Sequence, residues 1–215
     1  MTKILQNTEL YVRKKLEGEG SGYDWWHIHR VRNTALRLAK EEKANLFIVE
    51  LAALLHDIAD HKFNNGDINI GPKIAGEWLR SLKVEEDAIK HVKEIIADLS
   101  FKGANVPTPM KTIEGEVVQD ADRLDALGAI GIARAFAYGG YRNRALYNPD
   151  KPPIKHNSFD AYKKNTSPTI NHFYEKLFLL KERMNTASGK KIAEERHNVM
   201  VEYVNRFYSE WDGKA

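Results

Sequence analysis

Apolar positions recur along most of this chain three or four residues apart, the spacing of amphipathic helices. Strand signals are weak, and no hairpin dipeptide separates two alternating runs. The pattern predicts an all-α fold. A first helix covers 2–17 and stops at Gly18 and Gly20. A second opens at Asp24, a good N-cap residue, and runs to about Lys43. The third, capped by Asn45, spans 46–59 and is apolar almost all round, as a buried helix is. After the turn-rich NNGDINIGP, helices are expected near 73–82, 85–99 and 112–138, with a break in the last at Gly128 or Gly131. Residues 139–165 read as a long loop. Ser167 and Pro168 then open another helix, as cap and first helical residue, which ends near Asn185. A final helix fills 190–211.

Composition changes this picture in three ways. The 215 residues suit a single domain, 1–215, with appended helices. There is no cysteine, which excludes disulfides and thiolate metal sites, so any metal must be held by His, Asp and Glu. A net charge of +3 gives no electrostatic reason to expect a nucleic-acid partner. The N-terminal stretch is polar and lacks the apolar core of a signal peptide. The longest apolar run, 46–55, is interrupted by Glu50 and is too short to span a bilayer. A cytoplasmic protein without a membrane partner is expected.

Candidate chemistry sits in three separated pieces. His56 and Asp57 stand near the end of the buried third helix. A carboxylate there needs a cation or strong donors, although a hydrogen-bonded core histidine beside a capping aspartate would look the same. On the second helix the apolar stripe is Ile28, Val31, Ala35, Leu38 and Ala39. At about 100° per residue, His27 lies about 70° from the middle of that stripe and His29 about 130° away. His27 therefore borders the buried face and His29 faces solvent. The third piece, VVQDADRLDALGAIGIARAF, opens with Asp120, Asp122 and Asp125. Periodicity does not choose among these three carboxylates.

The pieces DWWHIHRV, LLHDIADHKF and VVQDADRLDALGAIGIARAF, taken in order, resemble the HD superfamily of metal-dependent phosphohydrolases. Its signature is His, then His-Asp, then Asp. ARAFAYGG, NHFYEKLFLL and IAEERHNVM extend the likeness toward a compact bacterial branch. The resemblance implies an HD helical core over about 22–130, with C-terminal helices 166–213 packed on it. It implies metal ligands at His27, His56, Asp57 and Asp122. Tyr23, before the Asp, is a mild departure at a position that is not a ligand.

Two imidazoles and two carboxylates form a mixed nitrogen and oxygen donor set. It favours one divalent ion, Mn²⁺ first, with Fe²⁺, Co²⁺, Ni²⁺, Mg²⁺ or Zn²⁺ compatible. Such an ion can activate water and polarise a phosphoryl oxygen. Asp60 is the candidate to position or deprotonate that water, and Lys62 to bind phosphate. His61, His91, Arg123 and Arg142 are further candidate substrate contacts. Arg144 and Lys155 join Arg142 in the 139–165 loop, which holds six Lys or Arg against two Asp. A solvated surface explains those loop cations equally well. His91 has an alternative core role, and Arg123 an alternative ion pair with Asp120 or Asp125. Arg30 suits an acidic partner, and His172 and His197 read as structural. The resemblance implies hydrolysis of a nucleotide, with (deoxy)nucleoside triphosphates cut to monophosphate and pyrophosphate as the leading expectation. A monophosphate phosphatase, an alarmone hydrolase and a non-enzymatic nucleotide sensor are the alternatives. A homodimer is compatible with the sequence but not derivable from it.

Overall fold

A computed structural model describes residues 3–17, 24–59, 69–99, 106–154 and 165–215. Among them the regular structure is helical throughout. The order is α1 (Lys3–Lys15), α2 (Trp25–Glu41), α3 (Leu46–Leu55), α4 (Ile70–Ser81), α5 (Glu86–Asp98), α6 (Ile113–Asp125) and α7 (Gly128–Tyr141). There follow a short α8 (Asn171–Glu175), a 3₁₀ segment (Leu177–Arg183) and the long α9 (Ala187–Trp211). The chain divides into two compact units. One holds 1–101 with 108–121, and the other 102–107 with 122–215.

In the first unit, α2 begins where Asp24 accepts a 3.0 Å hydrogen bond from the His27 amide. It buries Trp25, His27, Ile28, Val31, Ala35, Leu38 and Ala39. The chain turns at Lys43, whose φ is +57°. It enters α3 through Asn45, whose Oδ1 accepts from the amides of Phe47 and Ile48 at 3.1 and 3.4 Å. Ile48 to Leu55 are all buried. Residues early in α2 meet residues late in α3, so the two helices form an antiparallel hairpin. Beside it, α4 buries Ala75 and Leu79, while α5 buries Ile89, Val92, Ile95 and Ile96. Tyr11 of α1 stacks on Trp78 of α4 with ring centroids 3.9 Å apart. The Trp78 indole N–H donates to Thr8 Oγ1 at 3.0 Å. Val117, Val118 and Ala121 supply the apolar face of α6 within this unit.

In the second unit, Phe136 and Phe173 have ring centroids 6.1 Å apart, and Tyr203 stacks on Phe173 at the same distance. The connection after α7 is tied by backbone bonds from Thr169 to Ala145 and from Ile170 to Leu146, at 2.9 and 3.0 Å. The buried Glu175 carboxylate accepts from the Ile154 amide, Asn165 Nδ2 and Ser167 Oγ.

Several boundaries differ from those the sequence predicts. The third helix ends at Leu55, and His56 to Ala59 form turns. The fourth begins at Ile70 rather than 73, because Pro72 falls in its first turn, where the missing N–H costs nothing. Ser167 and Pro168 do not open a helix. Ser167 turns to Glu175 and Asn165 instead, helix starts at Asn171, and the backbone at Lys176 (φ −141°, ψ −57°) divides the span into two short pieces. The last helix starts at Ala187, where Thr186 Oγ1 accepts from the Gly189 amide at 3.0 Å. The expected break falls at Gly128, whose φ is +71°.

Candidate metal centre

His27 and His56 come from the two arms of the α2–α3 hairpin, which brings their imidazoles edge to face. The ring centroids are 5.2 Å apart and the planes meet at 70°. Their Nε2 atoms are 3.2 Å apart. Asp57 Oδ2 lies 3.4 Å from His27 Nε2 and 3.5 Å from His56 Nε2. Both histidine side chains are fully buried, whereas the Asp57 side chain retains 18% exposure. The triangle is thus closed on the imidazole side and open beside the carboxylate.

A backbone contact sets the chemistry of His56. Its Nδ1 lies 2.8 Å from the Ala53 carbonyl oxygen, which can only accept, so Nδ1 carries the proton. In the neutral ring Nε2 then presents its lone pair toward His27 and Asp57, the tautomer a metal requires. The spacing also fits an ion. Donors about 2.1 Å from a common ion stand about 3.0 Å apart at right angles and about 3.4 Å apart at the tetrahedral angle. The three observed separations, 3.2, 3.4 and 3.5 Å, lie close to those edges. Two buried imidazoles and a carboxylate within 4.8 Å of one another therefore fit a divalent cation.

Three of the four expected ligands share the first unit and converge. The fourth, Asp122, is half-buried on α6 and belongs to the second unit. Its two neighbours in sequence have other surroundings. Asp120 is fully buried, and Asp125 accepts from Arg134 Nη1 at 2.8 Å. His29, predicted to face solvent, is half-buried, with its ring 6.0 and 5.8 Å from those of Trp25 and Trp26. Its Nε2 meets Asn33 Nδ2 at 3.0 Å, and it is outside the ligand triangle.

Asp60, His61, Lys62 and Lys155 lie outside the described residues. His91 Nε2 is 2.8 Å from Thr112 Oγ1 and 3.7 Å from Glu114 Oε2, so it links α5 to the start of α6. Arg123 is buried at 7% exposure and donates to the Arg183 carbonyl, an anchor to the 3₁₀ segment. Arg142 is exposed at the end of α7, while Arg144 donates to the Asn165 carbonyl at 2.6 Å and lies over the Tyr138 ring. His197 packs edge-on to Phe178 with centroids 5.3 Å apart. Burial first, and then the Lys181 charge, pushes its pKa below the ordinary 6.5.

Sequence reasoning missed an ion pair beneath the histidines. Glu50, read only as an interruption of an apolar run, accepts from Arg32 Nε at 2.9 Å and also from Nη2. A carboxylate inside an otherwise apolar helix was itself the signal, since a buried charge must find a partner.

An all-helical fold carrying a buried His, His-Asp cluster defines an HD-type protein, and the chain belongs to the HD domain family. The HD domain model matches residues 25–127. Among solved structures, a Bacillus thuringiensis HD-superfamily hydrolase is 46% identical, with 97% of this chain and 96% of that one covered and a TM-score of 0.74. A Lactobacillus plantarum protein superposes with a TM-score of 0.85 at 39% identity, covering 99% of both chains. Bacillus subtilis YpgQ, solved in complex with ADP, superposes with a TM-score of 0.75 at 32% identity, covering 98% of this chain and all of that one.

Proposed function

We propose that this protein is a metal-dependent phosphohydrolase acting on nucleotides, with (deoxy)nucleoside triphosphates cut to monophosphate and pyrophosphate. The observation that carries the reading is the buried triangle of His27 Nε2, His56 Nε2 and Asp57 Oδ2. His27, His56 and Asp57 would hold a divalent ion, with Asp122 as the fourth ligand that the HD sequence pattern implies. When bound, the ion supplies Lewis acidity toward a phosphoryl oxygen and lowers the pKa of water.

The remaining work falls to side chains. His56 keeps its ligating nitrogen unprotonated through the bond from Nδ1 to the Ala53 carbonyl. Asp57, open on one side, leaves the approach for a phosphate. Asp60 orients the attacking water and takes its proton. Lys62, His61 and Arg142 neutralise phosphate oxygens, whereas His91 and Arg123 act through the packing described above. A nucleotide substrate is supported by the relative YpgQ, which was solved with ADP.

The test is a nucleotide panel incubated with the protein and Mn²⁺, with products resolved by ion-exchange chromatography. Equal monophosphate and pyrophosphate from triphosphates is the expected result. Orthophosphate released from monophosphates alone would overturn the triphosphate assignment in favour of a nucleotidase. Nucleotide binding with no turnover across several metals would make the protein a sensor.

A further inference from the structure

We propose that Arg32 and Glu50 are positioning residues for the metal centre, fixing the register of α2 against α3 so that His27 and His56 meet. The inference rests on the reading of the histidine–aspartate triangle as a metal site.

The ligands come from two segments of one helical hairpin, whose apolar faces are drawn together by a non-directional hydrophobic effect and interlock by ridge-and-groove packing. A slide of one residue shifts a side chain about 1.5 Å along the helix axis. That would spoil a 3.2 Å separation of ligand atoms. A buried, directional contact between the two helices adds a tighter constraint on that register than packing alone. Arg32 lies five residues after His27, about 7.5 Å along α2, and Glu50 six residues before His56, about 9 Å along α3. In an antiparallel hairpin these are nearly matching levels. Arg32 donates from both Nε and Nη2 to Glu50 Oε1, and from Nη1 to Glu9 Oε2 of α1 at 3.0 Å. The Arg32 and Glu50 side chains are only 11% and 10% exposed. A planar fork of N–H donors tolerates little translation, whereas a lysine ammonium would follow a shifted partner.

The same burial separates register from stability. A buried ion pair replaced on both sides by apolar groups often leaves stability unchanged, because the desolvation cost disappears with the attraction. The experiment titrates Co²⁺ into metal-free wild type, Arg32→Lys and the double variant Arg32→Met/Glu50→Leu. It follows the visible absorption spectrum and records the melting temperature of each metal-free protein. Both variants are expected to bind Co²⁺ about 10- to 100-fold more weakly, with an altered spectrum, at temperatures where they remain folded. Dissociation constants and spectra matching wild type in Arg32→Lys would overturn the positioning role while leaving the metal centre intact. Absence of Co²⁺ binding by wild type would overturn the metal centre and the positioning role together.

Discussion

At the scale of the residue, the site depends on which nitrogen of each imidazole carries the proton. His56 was legible from sequence as half of a His-Asp pair, and His27 from its place at the edge of an apolar stripe. The hydrogen bond from His56 Nδ1 to the Ala53 carbonyl was not legible, since the ring's rotation depends on its packing. His197, expected to be structural, has a further consequence. Its Nδ1 is buried and makes no hydrogen bond among the described residues. Burial holds its pKa below 6.5, the value it regains on unfolding. Between those two values the unfolded chain binds more protons, so stability is fully present above about pH 6.5 and falls as pH drops toward the folded value. Urea denaturation at pH 7.5 and 5.5 should show a smaller loss for His197→Gln than for wild type. An equal loss in both would remove His197 from the acid sensitivity of the fold.

At the scale of the element, local signals and long-range partners divide the outcome. The starts of α2 and α3 follow Asp24 and Asn45, caps that act within three residues. Ser167 carried the same kind of signal, yet its hydroxyl bonds to Glu175 eight residues away. A competing partner that only folding brings near defeats a local rule. The break between α6 and α7 was legible as glycine, but its cause is local crowding as well as the positive φ at Gly128. A Cβ built on Gly131 would stand 2.2 Å from the Ala126 carbonyl oxygen, a backbone atom with no freedom to swing aside. Gly131→Ala should therefore destabilise the protein by roughly 1–3 kcal/mol, the range for overpacking. Chemical denaturation measures it, and a change within about 0.5 kcal/mol, the ordinary scatter of surface substitutions, would contradict the crowding.

At the scale of the whole molecule, the fold class was the most legible feature, because helical periodicity and the lack of strand signals extend along the sequence. The ligand set was less so. His27, His56 and Asp57 gather through one helical hairpin, while Asp122 is proposed as a ligand from its place in the HD sequence pattern alone. No helix among the described residues is long and apolar enough to cross a membrane. Relatives that cover nearly the full chain on both sides place the family on more than a motif.

Chelation of one divalent ion by two imidazoles and a carboxylate from distant parts of the sequence is the proposal on which the reading of the site rests. Its most direct test is metal content by elemental analysis, after Mn²⁺ loading and dialysis, of wild type, His56→Ala and His29→Ala. One equivalent of metal is expected in wild type and in His29→Ala, and none in His56→Ala. Metal retained by His56→Ala, or lost from His29→Ala alone, would contradict it.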